Sequence, residues 1–147
     1  MGDRRENLTR AVGQLGEMVR VLRASSVWET EPQYLAAQPW FLNQVIEAET
    51  ELLPRQLLQR IQKIQRALGR KPTVANGPRV IDIDIVLFGN ATVNAPELQI
   101  PHPRMAERRF VLEPLAELAP ELRHPQTRRT VREMLANVKE QAARKVL

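Results

Sequence analysis

Asp82, Asp84 and Arg79 stand close together in Gly77-Pro78-Arg79-Val80-Ile81-Asp82-Ile83-Asp84-Ile85-Val86-Leu87-Phe88-Gly89. The β-branched run between Gly-Pro and Gly-Asn punctuation predicts a strand of roughly nine residues. Side chains alternate along a strand, so Ile81, Ile83, Ile85 and Leu87 point one way. Asp82 and Asp84 point the other, about 6–7 Å apart. Two such carboxylates repel each other and resist burial, and a divalent cation between them relieves both problems. Hard oxygen donors favour Mg2+ or Mn2+. On its own, Asp-x-Asp also fits an edge strand with a solvated polar face. Arg79, in the Gly-Pro turn just upstream, adds a guanidinium suited to phosphate oxygens. Metal-binding acids beside a phosphate-binding base point to phosphoryl-type transfer.

The positioning elements follow from the hydrophobic pattern. Asp3 caps a helix with Leu8, Val12 and Leu15 at helical spacing, ending near Gly16. From Val19 to Thr30 the pattern is strand-like, and it stops before Pro32. Residues 33–39 read as a loop, and Phe41 to Glu49 alternate again. Pro54 opens a helix whose stripe is Leu57, Ile61, Ile64 and Leu68, stopped by Gly69. A loop over 70–77 leads into the acidic strand. Gly89-Asn90 makes a turn, and Thr92–Val93 start a short returning strand. Arg104 to Leu112 and a piece near Pro114–Leu118 read as helical. Thr130 with Glu133 forms a capping box for a last helix, with Met134, Leu135 and Val138 inward. This order implies an α+β protein, a two-layer sandwich with an antiparallel sheet.

At 147 residues the chain is expected to form a single domain over 1–147. It has no cysteine, so neither a disulfide framework nor thiol chemistry is available, which fits a reducing cytoplasm. No apolar run approaches the roughly 20 residues of a membrane span, and no signal-peptide pattern opens the chain. A net charge of +5 suits anionic partners. Nucleic acid is one such partner, but aromatic residues are only 4% and no stacking motif or basic tail accompanies the charge.

The acidic stretch resembles the signature of the 6-hydroxymethyl-7,8-dihydropterin pyrophosphokinases of folate biosynthesis. The resemblance extends through Ser25-Ser26-Val27-Trp28-Glu29-Thr30-Glu31-Pro32, Phe41-Leu42-Asn43, Leu68-Gly69-Arg70 and Ile100-Pro101-His102-Pro103-Arg104-Met105. It closes with Glu107-Arg108-Arg109-Phe110-Val111-Leu112 and Leu118-Ala119-Pro120-Glu121-Leu122. It implies a ferredoxin-like sheet and transfer of pyrophosphate from ATP to the pterin hydroxymethyl group, leaving AMP. It also implies two Mg2+ ions on Asp82 and Asp84, and catalytic roles for Arg70 and Arg79. ATP contacts are implied at Gln62, Arg70, Arg79, His102 and Arg108, with the backbone of Leu98, Gln99 and Ile100 cradling adenine. The pterin is expected at Thr30, Phe41, Asn43 and Phe110, the two aromatics stacking on its ring. Arg109 matches no phosphate ligand. The implied partners are ATP and the pterin, with no nucleic acid and no membrane, in a cytoplasmic protein. The alternatives are a catalytically impaired relative that only binds pterin or nucleotide, and a basic nucleic-acid-binding α+β domain.

The sequence departs from the family pattern in two places. Pro72 and Asn76 replace a second loop arginine and a tryptophan, and Gln65 stands where many members carry Glu; these bear on loop closure and turnover rather than metal binding. The family's opening apolar strand and Gly-Ser-Asn have no counterpart before Met1-Gly2-Asp3. A first strand is therefore expected to be absent, through a late start or a sheet completed by self-association, whereas the family is monomeric. No later segment is expected to replace that strand: Ala142–Leu147 is short and basic.

Overall fold

The computed structural model describes residues 4–30, 41–69 and 81–146. The elements, in order, are α1 (Arg4–Gly16), β1 (Arg20–Ala24), β2 (Trp28–Thr30), β3 (Phe41–Asn43), β4 (Ile46–Glu49) and α2 (Pro54–Ala67). They continue as β5 (Val93–Ala95), β6 (Leu98–Ile100), a 3-10 turn (Met105–Glu107), α3 (Arg109–Leu118), α4 (Val131–Ala136) and β7 (Ala143–Lys145). Helices pack on antiparallel strands, the two-layer α+β arrangement that the alternating patterns predict. The Asp3 cap lies outside the described residues.

The strand pattern is more divided than its periodicity suggests. The described strands form the ladders β1–β4, β3–β2–β7 and β5–β6. The run 41–49 breaks into β3 and β4 because Ser25 replaces a ladder rung at the break. Its backbone N–H donates to Val45 O at 2.8 Å, and its hydroxyl accepts from Val45 N at 2.9 Å. Its carbonyl accepts from Gln44 Nε2 at 2.8 Å. A buried serine that satisfies three neighbouring groups ends pairing without leaving backbone groups orphaned.

The C-terminal segment gains a strand that the pattern did not assign, and the strand expected at the acidic segment is corrected. Ala143–Lys145 is a strand, pairing antiparallel with β2 from Trp28↔Lys145 to Thr30↔Ala143. Its basic side chains stay useful there: the Arg144 guanidinium meets Glu29 at 3.4 Å, and the Lys145 amine lies 5.7 Å from the Trp28 ring centroid. The acidic segment, by contrast, belongs to no ladder among the described residues. It keeps the alternation of a strand, with Asp82 and Asp84 exposed between half-buried isoleucines.

That segment crosses between two cores. Ile81, Ile83 and Ile85 pack on Ala11 and Leu15 of α1 and on Ile61, Ile64 and Leu68 at α2. Val86 and Leu87 pack on the other cluster, built from Met105, Leu112, Leu115, Val131, Met134 and Val138. The apolar isoleucines hold the segment down on one side, which leaves both acids on the other.

The capping box at α4 forms as expected. Glu133 N donates to Thr130 Oγ1 at 3.1 Å, and Thr130 N donates to Glu133 Oε1 at 3.0 Å. Just upstream, buried His124 accepts at Nδ1 from the backbone N–H groups of Gln126 and Thr127, both at 3.2 Å. Burial holds this imidazole below its ordinary pKa of 6.5. The unfolded chain therefore takes up a proton that folded His124 refuses, so stability falls as pH drops below 6.5. His102 is shifted the same way and adds to the effect. We expect His124→Asn, which keeps an acceptor but does not titrate, to show a shallower decline in melting temperature between pH 7.5 and 5.5. A decline as steep as in the parent chain would refute the assignment.

Candidate active site

The chemistry-bearing side chains come from four elements. The acidic segment supplies Asp82 and Asp84, both exposed on the side opposite the isoleucines. The Pro101-His102-Pro103 turn docks on the same segment, because His102 N donates to Val86 O at 2.9 Å. The His102 ring accepts at Nδ1 from Arg104 N at 3.3 Å. Burial lowers its pKa; Asp84 pulls it upward, and Arg108 and Arg104 push it down again. Those couplings put a carboxylate, an imidazole and two guanidinium groups in one electrostatic neighbourhood. The balance leaves the His102 pKa below its ordinary value of 6.5.

Arg108 caps the start of α3. Its guanidinium carbon lies 5.2 Å from the ring centroid of Phe110, near enough for a cation–π contact. Its Nε is buried and has no hydrogen-bond partner among the described residues. A buried guanidinium N–H of this kind could donate to an acceptor such as a phosphate oxygen.

The aromatic side of the site lies on β2, β3 and α3. Thr30 pairs with Phe41 and Trp28 with Asn43 across the β2–β3 ladder. Thr30 is buried, and its Oγ1 accepts from Asn43 Nδ2 at 2.7 Å. That bond orients the Asn43 amide. Phe41 is 52% exposed, a large apolar face turned to solvent. The expected contacts Thr30, Phe41 and Asn43 are thus brought together. Phe110 is half-buried on α3, which is pinned to β2 by Glu117. The Glu117 carboxylate accepts from Ser26 N at 2.8 Å, Ser26 Oγ at 2.9 Å and Trp28 Nε1 at 3.2 Å.

The nucleotide-side expectations divide. Leu98 and Ile100 of β6 are buried and Gln99 is exposed, so the leucine and isoleucine are spent on the core. Among the described residues β6 pairs only with β5. Gln62 is exposed on α2. Arg70 and Arg79, with Pro72 and Asn76, lie outside the described residues.

Arg109, for which the motif offers no phosphate role, does a different job. Its Nε meets Glu113 at 2.7 Å, and its Nη1 donates to the carbonyls of Lys139 at 2.9 Å and Gln141 at 2.6 Å. Gln141 answers by accepting from Arg109 N at 2.9 Å and donating to Glu107 O at 2.7 Å. The chain leading into β7 is clasped to the first turn of α3, between Arg108 and Phe110. The i,i+4 spacing to Glu113 was visible in the sequence; the partners beyond residue 138 were not.

The carboxylate pair fits Mg2+. Two hard oxygen donors on one side of a held segment suit an ion that keeps several waters and would share phosphate oxygens. Among the described residues no third acid, histidine or cysteine completes a closed protein cage. Asp82 and Asp84 are the residues that could hold the ion.

Comparison with known proteins finds relatives of one kind. The family model for 7,8-dihydro-6-hydroxymethylpterin-pyrophosphokinase matches residues 1–120. The chain is 44% identical over 120 residues to 2-amino-4-hydroxy-6-hydroxymethyldihydropteridine pyrophosphokinase of Bacillus subtilis, covering 80% of this chain and 72% of that protein. It is 37% identical over 133 residues to the protein of the same name from Aquifex aeolicus, covering 90% and 83%. Folic acid synthesis protein fol1 of Schizosaccharomyces pombe is 41% identical over 146 residues, 98% of this chain. The chain spans only 20% of that longer relative's length.

Proposed function

The chain belongs to the 7,8-dihydro-6-hydroxymethylpterin-pyrophosphokinase family, and we propose that it transfers pyrophosphate from ATP to the hydroxymethyl oxygen of 6-hydroxymethyl-7,8-dihydropterin. The observation that carries this reading is the convergence of the exposed Asp82–Asp84 pair with His102 and the orphaned Arg108 donor. The hydroxymethyl oxygen attacks the β-phosphorus, and its proton passes to solvent. A new P–O bond forms as the bond from the β-phosphorus to the α,β-bridging oxygen breaks, and AMP departs with that oxygen. Such a reaction needs positioning and charge neutralisation rather than a covalent nucleophile.

Each residue has a part. Mg2+ held by Asp82 and Asp84 supplies charge neutralisation at the phosphate oxygens. His102, with Nδ1 occupied by the Arg104 amide, keeps its ring proton on Nε2 and offers it to a phosphate oxygen. Arg108 offers its Nε–H to another. We assign Arg79 and Arg70 to the same phosphates, Gln62 and the β6 backbone edge to the nucleotide. Phe41 and Phe110 stack on the pterin ring while Asn43 and Thr30 meet its polar edge. No helix among the described residues is long and apolar enough to cross a membrane, and ATP as donor leads us to assign the cytoplasm.

The test is mass spectrometry after incubation with ATP, Mg2+ and the pterin. AMP and pterin diphosphate should appear together, in equal amounts and only with Mg2+. Tight binding of both substrates without AMP would favour the impaired relative. Binding to RNA or DNA that weakens steeply with salt, without either product, would favour the nucleic-acid reading.

A further inference from the structure

Within the pyrophosphokinase reading, on which this inference rests, we propose that Gln65 is a positioning residue that aims Asp82 and Asp84 at the metal. Gln65 lies on the buried side of α2 beside Ile61 and Ile64, and is only 5% exposed. A buried amide at such a place must find hydrogen-bond partners or destabilise the helix it sits on. Its Oε1 accepts from the backbone N–H of Ile83 at 2.7 Å. Ile83 is the residue between the two acids. Its N–H belongs to the peptide unit that leaves Asp82, so fixing that N–H fixes the plane from which both carboxylates project.

The bond to Gln65 acts at the centre of the acidic pair, whereas the His102 N–H holds the segment further along, at Val86 O. The segment takes part in no ladder among the described residues. Its isoleucines grip the α1–α2 cluster by apolar contact, which resists lifting but does little to resist rotation or sliding. A short bond to a side chain on a fourteen-residue helix, itself anchored by Ile61 and Ile64, adds direction at the residue between the two acids. Gln65 is neutral, so it does this without adding a third negative charge behind the pair. Glutamate, the residue expected from the family pattern, would accept the same bond while adding that charge. Gln65 therefore bears on metal binding, contrary to the expectation that it concerns loop closure alone.

The experiment compares the parent chain with Gln65→Met and Gln65→Glu. Methionine keeps the length and removes the acceptor, whereas glutamate keeps the acceptor. Three readouts are taken: Mn2+ affinity by electron paramagnetic resonance with a non-hydrolysable ATP analogue, hydrogen exchange at the Ile83 amide, and pterin affinity without metal. Gln65→Met should weaken Mn2+ binding by about tenfold, the scale of lost supporting contacts at metal ligands. It should also speed exchange at Ile83 and leave pterin affinity unchanged. Gln65→Glu should restore slow exchange at Ile83 and bring Mn2+ affinity to within about threefold of the parent or above it. Parent-like Mn2+ affinity in Gln65→Met overturns the inference alone. Equal losses in both variants also overturn it, because packing rather than the acceptor would then matter. A parent chain that binds no Mn2+ overturns the pyrophosphokinase reading itself and this inference with it.

Discussion

Asp82→Ala and Asp84→Ala should each lower the rate of AMP formation by about a thousandfold or more, while the protein remains folded. The size follows from the chemistry: a metal at the phosphates contributes several kcal/mol of charge stabilisation in the transition state, and each 1.36 kcal/mol is about tenfold in rate. Neither acid supports the core. Both project away from the side on which Ile81, Ile83 and Ile85 pack, and both are exposed. Removing one carboxylate also relieves repulsion with the other. Melting should therefore change by no more than about 0.5 kcal/mol in stability, the usual range for surface substitutions. The decisive comparison sets AMP formation against a melting curve for the same preparation. Near-normal AMP formation in both variants would remove Asp82 and Asp84 from the reaction. Loss of activity with a collapsed melting curve would make them structural instead.

The exposure of the acidic pair was legible because it is written in consecutive residues. Asp-x-Asp on an alternating apolar run forces two carboxylates to one side, whether or not a ladder forms, and the structure keeps that alternation without the ladder. The capping box of α4 was legible for the same reason: Thr130 and Glu133 satisfy each other three residues apart. What the sequence hid depends on distant partners. Ser25 ends a strand by bonding Gln44 and Val45, and nothing local marks it as more than a loop serine. Arg109 and Gln141 clasp across thirty-two positions. Gln65 interrupts an apolar helix face in a way that periodicity registers only as an imperfection, until Ile83 N–H is placed against it. The C-terminal strand is short and basic, and propensity gave it no weight; β2 offers the free edge that makes it a strand.

Phe110 and Leu112 are neighbours on α3 whose truncations should fail in opposite ways. Leu112 is 0% exposed at the centre of the α3–α4 cluster. Leu112→Ala leaves a cavity among well-packed side chains and should cost about 2–5 kcal/mol of stability. The surviving folded fraction should bind pterin as before, because Leu112 faces away from the site. Phe110 is only half-buried, and its ring is already faced by the Arg108 guanidinium. Phe110→Ala should cost much less stability, yet weaken pterin binding by about a hundredfold, or about 3 kcal/mol. That sum combines roughly 2 kcal/mol of lost apolar cover with about 1 kcal/mol of lost stacking. ATP affinity should change little, since Arg108 keeps its backbone position through the Arg109–Gln141 clasp. The measurements are a denaturant midpoint and separate pterin and ATP titrations for each variant. If Phe110→Ala loses several kcal/mol of stability with unchanged pterin affinity, Phe110 is an ordinary core residue and the pterin must be held elsewhere.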